Sequence, residues 1–182
     1  MGRFLTHRLS RAGLSALCLC VAFGARASAA EFYIGEPVVK EGIELVPNYL
    51  EGIEMNRHPP GAAMDPKAIH VEIDVHAAKD EKHGFAEDAW IPYLTITTTV
   101  EKVGAKYKET KQLAPMTAGD GPHYANNFKM DGEGKYKITY VIEPPSKLGF
   151  LRHVDKETGV PDWWDKISAS WTFDYPSKPK AK

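Results

Sequence analysis

The chain has two cysteines, Cys18 and Cys20, and both fall in a segment that reads as a removable leader. Arg3, Arg8 and Arg11 form its positive start, and an apolar stretch from Ala12 to Gly24 follows. Ala27-Ser28-Ala29 then supplies a small-x-small cleavage site. This is the pattern of a secretory signal peptide, residues 1–29, and its apolar run is too short to span a bilayer. Neither cysteine is preceded by the small residue that lipid attachment needs. Cleavage after Ala29 leaves a chain without cysteine, which excludes a disulfide, a thiolate metal ligand and a nucleophilic thiol. The expected compartment is the periplasm.

Other absences narrow the reading further. No second apolar stretch approaches membrane-spanning length, and no repeat or low-complexity block is present. There is no basic excess either. The leader carries four Arg and no acidic residue, so its removal takes the formal charge from −1 to −5. Such a chain has no electrostatic reason to bind nucleic acid. Long stretches of helical periodicity are also missing.

What remains reads as strand. Ile43–Val46 and Tyr49–Met55 are short strand candidates broken by Pro47, and His58-Pro59-Pro60-Gly61 is a loop. Ile69–His76 alternates strictly, with Val71, Ile73 and Val75 on one side and His70, Glu72, Asp74 and His76 on the other. Lys79–Asp88 is a charged loop, and Trp90–Glu101 reads as a central strand. Ala105–Leu113 returns antiparallel to it, with Gly104 near the turn. Ala114–Tyr124 is a loop by its Gly and Pro content. Asn127–Met130 and Lys135–Ile142 flank Asp131-Gly132-Glu133-Gly134, a hairpin signal. Gly159–Trp164 is a loop with two adjacent aromatics, and Ile167–Tyr175 closes the domain. Seven or eight short strands over residues 30–175 predict an all-β fold, an immunoglobulin-like two-sheet sandwich. The Pro/Lys-rich tail, residues 176–182, is expected to be disordered.

The residues able to carry chemistry are histidines, one methionine and carboxylates. His70 and Glu72 stand two apart on a strand, so they share a face and converge on one point. Met116 and His123 lie on the Ala114–Tyr124 segment, and His153 lies among polar neighbours further on. Taken one at a time each has an ordinary explanation. The strand is equally a solvated face, Met116 a core filler, His123 a hydrogen-bonder in a turn and His153 a surface residue. Together they form a His/Met/carboxylate set. Imidazole suits copper, zinc, iron and nickel, and a thioether adds preference for copper. Asp155 or Asp120 is placed to orient a ligating imidazole through its second nitrogen. His58, His76 and His83 read as looser surface histidines.

Four segments carry a wider likeness: Ile69-His70-Val71-Glu72, Trp90-Ile91-Pro92-Tyr93-Leu94, Ala118 through Asn127, and Arg152 through Val160. Together they resemble the periplasmic iron-transport proteins of Gram-negative bacteria, which bind copper and accompany a high-affinity iron permease of the inner membrane. The resemblance implies a homodimeric immunoglobulin-like sandwich with metal sites near the subunit interface. It implies copper ligands at His70, Met116, His123 and His153, with His153 supplied by the same subunit or by its partner. Glu72 would serve a neighbouring position for iron, with manganese or zinc as surrogate. The expected role is binding and supply rather than enzymatic turnover. A copper-dependent iron oxidase or reductase, a periplasmic copper chaperone and a structural adhesion domain are the alternatives.

Overall fold

The computed structural model describes residues 31–177, so the expected leader, residues 1–29, and tail residues 178–182 lie outside the described residues. Ser177 is described: its N–H donates to the Tyr49 hydroxyl at 2.8 Å.

Ten strands form two antiparallel sheets. They are β1 (Glu31–Tyr33), β2 (Val38–Lys40), β3 (Ile43–Glu51), β4 (Ile69–Ala77), β5 (Thr95–Lys102), β6 (Lys108–Gln112), β7 (Ala114–Ala118), β8 (Gly121–Phe128), β9 (Gly134–Glu143) and β10 (Ile167–Tyr175). One sheet has the order β1-β3-β4-β8-β7, with β2 also paired to β3; the other runs β10-β9-β5-β6. A single 3-10 turn, Pro145–Leu148, is the one helical element among the described residues. The expected all-β sandwich is what the chain forms.

Alternation places the core. Val71, Ile73 and Val75 of β4 are fully buried, facing Ile138, Tyr140 and Ile142 of β9 and Ile96 and Val100 of β5 among others. Leu45 and Tyr49 of β3 and Phe128 of β8 complete the layer. Each fully buried aliphatic side chain of this kind contributes about 1.5–3 kcal/mol relative to exposure.

Four expectations are corrected. Pro47 does not break its strand; β3 runs straight through it. In an extended chain the N and C=O of one residue point the same way, and the Pro47 carbonyl accepts the Ile34 N–H. The missing Pro N–H therefore faces the sheet edge where β1 gives way to β2, not β4. The Ala114–Tyr124 segment is not a loop but the hairpin β7–β8, with Met116 opposite His123. Pro115 lies on an edge strand, and Pro122 lies beyond the last pair that β8 makes with β4. Asp131–Gly134 does not close a hairpin. It carries the chain from one sheet to the other, because β8 pairs with β4 and β7 while β9 pairs with β5 and β10. Finally, Trp90–Leu94 precedes the strand, and only Trp90 pairs, as a bridge to His76. The Tyr124 hydroxyl holds this stretch, donating to the Ile91 carbonyl at 2.9 Å and accepting the Leu94 N–H at 3.1 Å. Burial pushes that phenol up to about 12.

Candidate metal centre

The same alternation that buries Val71 and Ile73 sends His70 and Glu72 to the opposite face of β4. A solvated face was one reading of that strand, yet both residues are buried, at 3 % and 5 % exposure. The register explains the company they keep. Asn48 of β3 lies opposite Glu72, and Ala125 and Asn127 of β8 lie opposite Glu72 and His70. His123, two residues before Ala125, shares this face and is also buried. Met116 of β7 pairs directly with His123, so its thioether leaves the sheet on the same side, half-buried.

One ligand atom each from His70, Glu72 and His123 lie within 4.8 Å of one another. Glu72 Oε2 is 3.4 Å from His123 Nε2 and 3.9 Å from His70 Nε2. The two rings meet edge to face at 5.9 Å between centroids. His70 Nδ1 lies 2.8 Å from the Asn127 Oδ1. An amide oxygen only accepts, so Nδ1 carries the proton and Nε2 turns its lone pair toward Glu72. Burial holds this imidazole below its ordinary pKa, which keeps that lone pair available.

Burial first, then the neighbouring Asp74, Glu31 and Asp120, pushes Glu72 up to about 8, against a smaller opposing pull from Asn48. Asp74 is raised as well, chiefly by burial. Asn48 donates to Asp74 at 3.4 Å, while its buried Oδ1 has no partner. Asp74 and His76, further along the same face of β4, are half-buried and line a small cleft of about 150 Å³ with Glu31, Glu72 and Asp120. A larger groove of about 720 Å³ opens over His70, Glu72 and His123, with Met55 and Asp120 among its walls.

The donor set fits copper. Imidazole nitrogens and a thioether are its preferred partners, and a buried carboxyl plus an orphaned amide oxygen favour positive charge beside them. Metal–nitrogen bonds of about 2.1 Å separate two ligand atoms by at most about 4.2 Å, so the spacing observed needs only a small contraction.

Of the five expected ligands, the strands bring together His70, Glu72 and His123, and register puts Met116 on the same face opposite His123. His153 stands apart, exposed on the loop before β10. Its Nδ1 lies 2.7 Å from Thr158 Oγ1, and that hydroxyl donates to Asp155 Oδ2 at 2.8 Å. Asp155 thus orients the ring through Thr158, and Nε2 has no partner among the described residues. The residue that orients His70 is Asn127 rather than Asp120. Sequence reasoning missed Asn127 and Asn48 because both act across a strand pair, with no local signal.

His58 is exposed as expected, but His83 is not a loose surface residue. Its side chain is 8 % exposed, with Nδ1 2.6 Å from Glu81 Oε1 and Nε2 3.0 Å from the Asp162 carbonyl. No helix among the described residues is long and apolar enough to cross a membrane.

Residues 28–177 match the family model described as Fe2+ transport protein. A UPF0423 protein of Brucella abortus is 42 % identical over 164 residues, covering 87 % of this chain and 88 % of the relative. The 34 kDa membrane antigen of Treponema pallidum is 35 % identical over 78 % of this chain and 72 % of its own length. Among solved structures, FetP of uropathogenic Escherichia coli strain F11, expressed in the periplasm, is 46 % identical with a TM-score of 0.74, covering 80 % of this chain and 95 % of FetP. Copper-reconstituted P19 of Campylobacter jejuni is 39 % identical with a TM-score of 0.73, covering 82 % of this chain and 99 % of P19.

Proposed function

This chain belongs to the Fe2+ transport protein family, and from that premise we propose that it is a periplasmic copper-binding component of an iron uptake system. In this reading it binds copper and supplies iron to an inner-membrane permease. The observation that carries the reading is the buried His70–Glu72–His123 cluster, whose carboxyl is raised by its burial and by the acidic groups beside it. Copper-bound structures of FetP and P19 support the choice of metal.

His70, His123 and Met116 would hold copper, and His153 from a second copy of the chain would complete the set. The exposed, pre-oriented His153 ring suits such a role, since its Nε2 has no partner among the described residues. A homodimer is therefore part of the proposal. Glu72, with Asp74 and Asp120 beside it, offers harder oxygen ligands for iron as cargo. Copper bound here supplies one-electron redox chemistry next to that cargo.

The test is metal titration of the mature protein. His70→Ala and Met116→Leu should each weaken copper binding, and His153→Ala should weaken it while favouring monomer. Unchanged copper affinity in His70→Ala and Met116→Leu would sink the site assignment.

One observation favours a second reading, a copper chaperone. Met55 lines the same groove as His70 and His123, so Met116 is not the only thioether near the site. Growth of a deletion strain separates the two: a defect under iron limitation supports iron supply, and a defect under copper stress supports the chaperone.

A further inference from the structure

His83 is the best-tethered histidine of the described chain, and nothing in the metal centre uses it. Its ring stacks on Trp163 at 4.6 Å with an interplanar angle of 13° and meets Trp164 edge-on at 5.4 Å. Nδ1 faces the Glu81 carboxylate and Nε2 faces the Asp162 carbonyl. Each ring nitrogen thus has a partner of its own, one on either side of the ring. Glu81, its side chain 1 % exposed, is itself fixed by the backbone N–H groups of His83 at 2.7 Å and Phe85 at 3.0 Å. The ring therefore joins the loop after β4 to the loop before β10.

The connection continues toward the expected fourth ligand. The Asp162 carboxylate pairs with the Arg152 guanidinium. Arg152 also donates to the Val160 carbonyl at 3.0 Å, and the Val160 N–H returns to the His153 carbonyl at 3.1 Å. His153 is thus three links from His83: through Asp162, through Arg152, and through the peptide that joins Arg152 to it. Leu151 is 87 % and Val154 76 % exposed, and the Asp155–Gly159 turn beyond them is closed mainly by its own bonds to Asp155.

We infer that His83 is the positioning residue of the His153 segment: its stacked ring, hydrogen-bonded through both nitrogens, clamps Asp162 and Trp163, and through Arg152 fixes where His153 is presented. The part that concerns copper rests on the assignment of His153 as a ligand from a second copy. The clamp itself does not.

The test uses the full mature protein and three variants. His83→Phe keeps a stacked ring but removes both hydrogen bonds. Trp163→Leu removes the stack and keeps the bonds. His153→Ala removes the ligand and leaves the clamp. Hydrogen exchange is followed over residues 149–166, with the β4 and β9 amides as internal controls of folding. Exchange in 149–166 should quicken by about tenfold in His83→Phe and less in Trp163→Leu, with the controls unmoved. The paramagnetic resonance spectrum of the Cu(II)-loaded protein should shift in His83→Phe toward that of His153→Ala. The double variant, His83→Phe with His153→Ala, should match His153→Ala alone, which a merely structural role would not produce.

Exchange within twofold of the native protein in both clamp variants would overturn the inference. A copper spectrum in His153→Ala identical to the native one would overturn His153 as a ligand instead, and the exchange result alone then decides for or against the clamp.

Discussion

Two histidines with covered side chains divide the chemistry of this molecule. His70 has one ring nitrogen bonded to Asn127 and the other turned toward Glu72 with no hydrogen bond. His83 has both nitrogens bonded, one to a carboxylate and one to a carbonyl. Burial alone does not distinguish them. The count of satisfied nitrogens does: a ring with one left over can take a metal, and a ring with none can only hold the fold together. His153 sides with His70 in this respect, although it is exposed.

The difference can be broken from either side. The largest effect should come from His70→Ala, which removes the spare nitrogen. Copper affinity should fall by more than about 100-fold, the upper range for losing a mere supporting residue, as read by competition titration. Next is the carboxyl that faces the spare nitrogen. Glu72 titrates near 8 in the folded chain against an ordinary value of 4.5, so between those pH values the native state holds more protons than the unfolded one. Stability of the metal-free protein should therefore fall as pH rises through that window and level off above it. The slope is bounded at about 1.4 kcal/mol per pH unit. Denaturant melts of native and Glu72→Gln protein at several pH values check this, and an equal slope in both would contradict it.

His83→Ala should act on stability instead. It removes the ring's contact from the buried Glu81 carboxylate, which keeps the two backbone N–H donors, and should cost about 1.5–3 kcal/mol, with a matching drop in thermal midpoint. The smallest effect sharpens the comparison most. Asn127→Ala frees His70 Nδ1 without touching the ligand atom. It should lower copper affinity by about tenfold and leave the fold intact. If it left affinity unchanged, the bonded nitrogen of His70 would not matter to the free one.

Much of this arrangement is legible in the sequence. The Ile69–His76 alternation put His70 and Glu72 on one face, and period-two geometry made that step secure. The sandwich followed from strand number and spacing. The Ala114–Tyr124 hairpin did not, because its glycines and prolines signal a loop, and prolines are tolerated where a strand lies at an edge or has no neighbour on one side. Asp131–Gly134 has the chemistry of a tight turn, but turn chemistry does not say which strands the turn joins. Asn127 and Asn48 were invisible for a different reason: they are selected by register, and register is settled by pairings some 20 to 60 residues apart in the chain.

Neighbouring residues on β8 carry unrelated duties. His123 serves the outer face, and Tyr124, one step on, reaches the other way to clasp Ile91 and Leu94. The two are assigned by parity alone. A one-residue deletion in the β7–β8 turn that shifted this strand's reading frame would drive the phenol to the metal face and the imidazole into the core. This stretch should accordingly tolerate changes of residue far better than changes of length, while the long connection between β3 and β4 can vary in length without exchanging any two jobs.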